Sequence, residues 1–420
     1  MRSSIGWHTA SVFMKTTGKE AASIYEDFVR YGKETGEIRT RPIRTIKIAP
    51  DADKFIRNLF ASLPKVHRIE YPCKDKGIRW ELRRSMRSPA YITTKLVGED
   101  KPCSIKAKIN PNVLNGETDY LTAATSDCLG DVEISFNIEA AKISPLLRKF
   151  DSYAYNRIDY CFNGDTQELK IGCTAEQMMK LIKRSNIPDS FIEQMKYDKR
   201  SHRGKPYKYS FYLKSNSVVI NCYCKGEQLK EQYPDNICLE DSHNLIRFEV
   251  QCKYSKVYAM SSDIKKGNNG SNSLMLKEML SNKFCEYVIT KYFNKIVRKG
   301  HYLTLDGARS IVEAHNFRRD KEERLIDTLE FINECRGIAK AKAKLLGEAL
   351  KDFKRSLKDL DDILVNPVTI PRDWGIDYIP NLLWAYYDSI YEEQLITSRE
   401  FKAEQYLSEY LLRDCKEKAL

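Results

Sequence analysis

A tyrosine and a lysine two residues apart on one strand are the first sign of chemistry in this chain. In the stretch 217–229, SVVINCYCKGEQL, Val218, Ile220, Cys222 and Cys224 alternate with Val219, Asn221, Tyr223 and Lys225, the period of a half-buried strand. Two other runs place polar groups opposite an apolar face in the same way. In 155–162 (YNRIDYCF), Arg157, Asp159 and Cys161 oppose Ile158, Tyr160 and Phe162; in 244–254 (NLIRFEVQCKY), Arg247, Glu249 and Gln251 oppose Ile246, Phe248 and Val250. If the three strands are neighbours, one sheet face gathers two carboxylates, a tyrosine and a lysine. Paired carboxylates suit a hard divalent cation such as Mg²⁺ or Mn²⁺, which would polarise a phosphoryl oxygen. A phenol with a free pKa of about 10 is a weak nucleophile, and a nearby ammonium or metal favours its phenolate. The set describes metal-assisted phosphodiester cleavage through a phosphotyrosine. The same residues also suit solvated strand faces and cross-strand ion pairs, and strand tyrosines commonly just pack.

A basic segment precedes the tyrosine strand. Residues 196–208, KYDKRSHRGKPYK, carry Lys196, Lys199, Arg200, Arg203, Lys205 and Lys208 with tyrosines interleaved. Such a loop grips phosphates without reading bases, although charge runs also serve simply as solvated loops.

The elements that must position these groups follow from pattern. Residues 1–42 read as an extension holding a short amphipathic helix, and the start lacks the basic-then-apolar order of a secretory signal. Residues 43–48 suggest a first strand and 53–63 a helix stopped by Pro64. Between 68 and 108 the runs IRWELRRS, AYITTKLV and CSIKAKI read as an antiparallel meander. Residues 131–150 start as an alternating run, DVEISFNI, and continue toward a helix, and 174–184 is a helix with Thr174 as its cap. Residues 261–273, SSDIKKGNNGSNS, make a linker; beyond it the period turns helical, with Gly337 and Gly347 as tolerated interruptions of 323–363. The helices at 303–314 and 323–336 suit either a helix-turn-helix or a plain bundle. The expected fold is α+β: an antiparallel-sheet domain over 43–258, a linker over 259–274 and a helical domain over 275–420.

The bulk composition excludes some classes. The 420 residues include 70 basic and 58 acidic side chains, a net charge of +12, with 42% hydrophobic content, ample for a core. No apolar run approaches the roughly 18 residues of a membrane span, so a cytoplasmic protein without membrane partners is expected. Twelve cysteines fall in no CxxC pair and read as reduced, mostly buried small hydrophobes rather than zinc ligands.

The order NRIDYCF, basic segment, INCYCKGEQL, NLIRFEVQCKY resembles the gene II/X family of phage and plasmid replication initiators. It is also similar to the Rep-trans rolling-circle initiators and related nicking relaxases, which share an RID strand, a Y-x-K strand and an RFE strand. The segment KPCSIKAKINPNVLNG resembles one upstream of RID in that family, and the likeness covers residues 43–258. No His-hydrophobic-His pair is present, a departure from typical HUH endonucleases. The resemblance implies an HUH-like or Rep-trans-like nickase sheet with Tyr223 as nicking tyrosine and Lys225 as its basic partner. It implies Asp159 and Glu249 as ligands of Mg²⁺ or Mn²⁺, and Arg157 and Arg247 as supporting or phosphate-binding groups. Glu133, His243 and Glu227 are the candidates for a third ligand. Implied partners are origin DNA, both duplex and single-stranded, a host helicase and a second copy of the chain, in a bacterial host. A conjugative relaxase would do the same chemistry, and a non-catalytic DNA-binding regulator is the reading from another class.

Overall fold

Two-residue alternation in the three motif strands builds the middle of one antiparallel sheet. The computed structural model describes residues 2–35, 39–42, 67–70, 77–84, 103–116, 121–198, 203–232, 234, 238–267 and 277–397. The strands of the main sheet are β1 (Ser4–Thr16), β2 (Ile78–Arg84), β3 (Cys103–Ile109), β4 (Ala154–Asp165), β5 (Ile192–Glu193), β6 (Ser210–Lys214), β7 (Val218–Cys224) and β8 (Leu245–Lys253). Their order across the sheet is β2-β3-β1-β4-β8-β7-β6-β5, every neighbouring pair antiparallel. The principal helices are α1 (Gly18–Thr35), α2 (Leu129–Ile143), α3 (Ala175–Ile182), α4 (Lys225–Gln232), α5 (Tyr254–Gly267), α6 (Asn282–Ile296), α7 (Leu305–Ala314), α8 (Arg319–Cys335), α9 (Gly347–Asp362) and α10 (Leu382–Thr397). The fold is therefore a mixed α+β fold on an antiparallel sheet.

One sheet face is apolar and covered by helices. Trp80 of β2 meets Phe28 of α1 at 6.1 Å and Phe136 of α2 at 5.2 Å between ring centroids. Farther along, Phe162 of β4 and Phe248 of β8 pack on Phe293 of α6 at 6.0 and 5.2 Å, and Phe162 also meets Tyr386 of α10 at 5.4 Å. Aromatic pairs at these separations add to the area they bury. Local signals set the ends of the helices. Thr174 accepts the Gln177 N–H while the Gln177 side chain accepts the Thr174 N–H, a capping box that starts α3. Ser281 accepts the Phe284 N–H at the start of α6.

Several sequence expectations are corrected. The stretch expected as an N-terminal extension holds β1, which lies between β3 and β4 in the interior of the sheet; from Ala10 on it buries Ala10, Val12, Met14 and Thr16 and turns Ser11, Phe13 and Lys15 to the other face. The run DVEISFNI is helical throughout, inside α2. The expected linker is helix α5 through Gly267. Helices α6 and α10 do not build a core apart from the sheet: Cys285, Val288, Phe293, Leu382 and Tyr386 belong to the same cluster as the strands. Gly337 and Gly347 are breaks rather than interruptions. Arg336 ends α8 at φ 56°, Gly337 takes φ 140° and Gly347 takes φ 57°, conformations that stop a right-handed helix. The strand expected at 43–48, the helix at 53–63 and the run AYITTKLV lie outside the described residues.

Helices α7 and α8, joined by a short turn, share a small separate cluster of Ala308, Val312, Leu325 and Leu329 with Leu360 of α9 and Val365. That third helix makes the pair part of a bundle. Exposed positions on α8 are mainly acidic (Asp320, Glu323, Asp327 and Glu334), with Arg319 at its start also exposed. Among the described residues no helix is long and apolar enough to cross a membrane.

Candidate active site

The register of the central strands assembles the polar groups. Tyr223 of β7 lies opposite Arg247 of β8, and Asn221 opposite Glu249. On the other side of β8, Glu249 lies opposite Cys161 of β4 and Gln251 opposite Asp159. Glu249 is thus the diagonal neighbour of both Tyr223 and Asp159, within reach of polar side chains. The Tyr223 hydroxyl donates to Glu249 Oε1 at 2.6 Å. Oε2 is held more loosely, by Asn221 Nδ2 at 3.5 Å and Gln251 Nε2 at 3.4 Å. Arg157 clamps Asp159 from two residues away, Nε to Oδ1 at 2.6 Å and a terminal nitrogen to Oδ2 at 2.7 Å, the bidentate geometry of a strong ion pair. Lys225, the first residue of α4, places its ammonium 6.0 Å from the Tyr223 ring centroid and donates to Gln228 Oε1 at 2.9 Å. Tyr223, Lys225, Asp159, Arg247 and Glu249 are all buried.

Arg247 organises the floor of the site. It is fully buried, with Nε donating to Asn163 Oδ1 at 2.7 Å and a terminal nitrogen donating to the Leu121 carbonyl at 2.8 Å. Its other terminal nitrogen lies 3.5 Å from His8 Nδ1. His8 reaches this point through a β-bulge: Trp7 is paired with Tyr160 and Thr9 with Asp159, leaving His8 as the extra residue of β1. Bulges re-aim a side chain in this manner.

Burial and neighbouring charge set the protonation states. Burial, with the Arg247 charge second, lowers His8 to about 3, so its imidazole is neutral at physiological pH. Burial would raise Glu249, but the His8 and Arg247 charges and the Tyr223 hydroxyl together hold it below the usual carboxylate range. Since His8 is neutral above about pH 3, Arg247 and Tyr223 carry that effect at neutral pH. Burial raises Asp159 to about 6; Arg157 opposes the rise and the Glu249 carboxylate adds to it. Burial, then the Glu249 charge, pushes the Tyr223 phenol well above its ordinary value. Burial, then the Arg247 cation, brings Lys225 down to about 7.

The donor set suits a hard cation. Glu249 Oε2 has only long contacts, and Asn221 Oδ1, buried on the same face, has no hydrogen-bond partner among the described residues. Asp159 is the second carboxylate of this face, and both its oxygens are held by Arg157, whose side chain is 36% exposed. Among the described residues no group of three or more His, Cys, Asp and Glu side chains is placed to hold a metal. Mg²⁺ commonly uses one or two carboxylates and completes its shell with water and substrate phosphate.

The remaining sequence candidates lie apart from this cluster. Glu133, on α2, pairs with Lys277 at 2.8 Å. Glu227 sits in the first turn of α4, and His243 is exposed ahead of β8. In the basic segment, Lys196–Asp198 pairs with Arg203–Lys205 as a small hairpin, and Lys208 is exposed with its ammonium on the Tyr209 hydroxyl. Lys199 and Arg200 lie outside the described residues. Sequence reasoning missed His8, Asn163 and the Leu121 carbonyl. A histidine inside an uncharged β-branched and aromatic run was the one available signal.

No protein-family model matches the chain, and no curated protein matches it in sequence. Among solved structures, a rolling circle replication initiator protein from Geobacillus stearothermophilus aligns at a TM-score of 0.27 and 9% identity, over 63% of this chain and 79% of that one. An overlap of this extent supports no inference about the present chain.

Proposed function

We propose that the chain is a tyrosine-dependent DNA strand transferase acting as a rolling-circle replication initiator, one that nicks one strand at an origin and later rejoins it. The observation that carries this reading is the buried Tyr223–Glu249 hydrogen bond, with Asp159, Lys225 and Arg247 grouped around it. In the nicking step the Tyr223 oxygen attacks the scissile phosphorus and the bond from phosphorus to the 3′ oxygen breaks. The 5′ phosphate stays on Tyr223, and the departing oxygen takes a proton to leave a free 3′ hydroxyl. The phenolic proton, already donated in a hydrogen bond to Glu249 Oε1, passes by way of that carboxylate to Lys225, which is close to half-protonated at neutral pH. Arg247 offsets negative charge on the phenol side, and Arg157 turns from Asp159 to a backbone phosphate as DNA enters. A divalent cation, Mg²⁺ or Mn²⁺, held by Asp159, Glu249 and Asn221 Oδ1, would polarise the phosphoryl oxygen. Rejoining is the same transfer in reverse, with a 3′ hydroxyl attacking the phosphotyrosine.

The test is Tyr223→Phe on supercoiled origin DNA with Mg²⁺ or Mn²⁺. Wild type forms an open circle and a covalent protein–DNA adduct; the variant binds DNA but yields neither. Full nicking by the variant removes Tyr223 from the role. Duplex binding by wild type without any nicking at its cognate origin leaves a DNA-binding regulator instead.

A further inference from the structure

Three aromatic rings form a row where the polar sheet face meets α5. Phe13 and Tyr254 lie 6.1 Å apart between centroids, nearly edge to face, and Tyr254 and Tyr258 lie 6.3 Å apart. Strand pairing fixes their face. Ser11 is opposite Arg157 and Phe13 opposite Ala154 on β4, while Phe13 is opposite Lys106 on β3, and residues directly opposite one another share a face. Phe13 therefore stands on the side that carries Arg157 and Asp159. Tyr254 follows Lys253, which is paired with Arg157. Lys253 lies four residues beyond Glu249 on β8, about 13 Å along an extended strand.

The row is open to solvent, with Tyr254 45% and Tyr258 55% exposed. Basic residues lie along the same strand ends: Arg157, held on Asp159, is in register with Lys253, whose ammonium donates to the Ser215 and Asn216 carbonyls, and Lys256 stands in the first turn of α5. Cations call for a polyanion. Exposed rings call for one whose flat apolar faces are accessible, and a duplex hides those faces inside its own stack. Single strands present them, and aromatic platforms beside basic residues bind single strands without sequence preference.

We propose that Phe13, Tyr254 and Tyr258 form a base-stacking platform for the single-stranded DNA that runs past the Tyr223 site. This rests on the strand-transfer reading for its direction and purpose, yet it is tested separately by binding to a short fluorescent oligothymidine in EDTA, where no cleavage occurs. The full-length Tyr254→Ala/Tyr258→Ala variant loses at least about tenfold in affinity, and the Tyr254→Phe/Tyr258→Phe variant, which keeps the rings, binds as wild type does. An abasic oligonucleotide with the same phosphates binds wild type at least tenfold more weakly than oligothymidine and gains nothing from the tyrosines. Equal oligothymidine affinity of the double alanine variant and wild type overturns the platform, as does an equal loss of binding to blunt duplex. Ring-dependent oligothymidine binding with no Tyr223 adduct on origin DNA supports the platform and rejects the nicking reading. Adduct formation by a wild type whose single-strand affinity ignores the rings does the reverse.

Discussion

Lys225 sits in an environment unusual for its type. Its ammonium is buried beside Arg247 and titrates near about 7 rather than in its usual range. If it takes the phenolic proton of Tyr223, the nicking rate rises with pH through about 7. Lys225→Met should lower that rate by roughly 100-fold or more and flatten its pH dependence, as read in single-turnover assays. The same shift has a stability sign. Between about pH 7 and 10 the unfolded chain holds a proton on this lysine that the folded chain has released, so stability climbs with pH across that window. Lys225→Met should therefore be more stable than wild type near pH 7, with the gap closing toward pH 10 in denaturant titrations. Tyr223, Asp159 and Glu249 were legible as neighbours because strand alternation puts them on one face, whereas Lys225, expected on the tyrosine strand, opens α4 instead. His8, Asn163 and Leu121 were not legible, since they reach Arg247 across separations of 239, 84 and 126 residues, and no local pattern encodes such contacts.

Elements were legible where one periodicity dominated and failed where two coexisted. In α2 the residues Val132, Ile134, Phe136 and Ile138 alternate like a strand, yet Ile134 and Ile138 are 60% and 52% exposed while Val132, Phe136, Ala140 and Ile143 bury the helical face. Packing against Trp80 chose the helix. β1 was missed for another reason: its first half, with Ile5, Gly6, Trp7, Thr9 and Ala10 all buried, hides the alternation that its second half shows. Its seat depends on Gly6, where an added Cβ would stand 2.1 Å from the Ala124 carbonyl oxygen beside the Trp7–Ala124 bridge. Gly6→Ala should cost about 1–3 kcal/mol in chemical denaturation, because a backbone oxygen cannot move aside. Gly164→Ala should cost less, since the atoms it meets belong to the Leu382 and Phe162 side chains rather than to backbone. Thr174→Ala, which removes the cap of α3, should cost about 1 kcal/mol.

At the scale of the molecule, one hydrophobic cluster joins β1, the motif strands, α6 and α10. These two helices, which follow the expected linker, thus support the active face from behind. Deleting residues 2–16 should leave no folded main sheet, because it removes the strand between β3 and β4 along with the His8 bulge. Loss of cooperative unfolding by circular dichroism, not merely loss of activity, is the expected outcome; a stable, cooperative remainder would mean that the sheet closes without β1. The basic surplus read from composition does not extend to every surface, as the mainly acidic exterior of α8 shows.

The place of β1 also dictates an order of events during synthesis. Its two partners, Cys103–Ile109 and Ala154–Asp165, leave the ribosome long after it does. For much of translation Ser4–Thr16 is an apolar strand with both edges unsatisfied, the kind of segment that recruits chaperones or foreign strands. Sequence-distant pairing of this sort slows folding, so the active face is completed only after β4 and β8 have emerged and β1 has been captured between its partners.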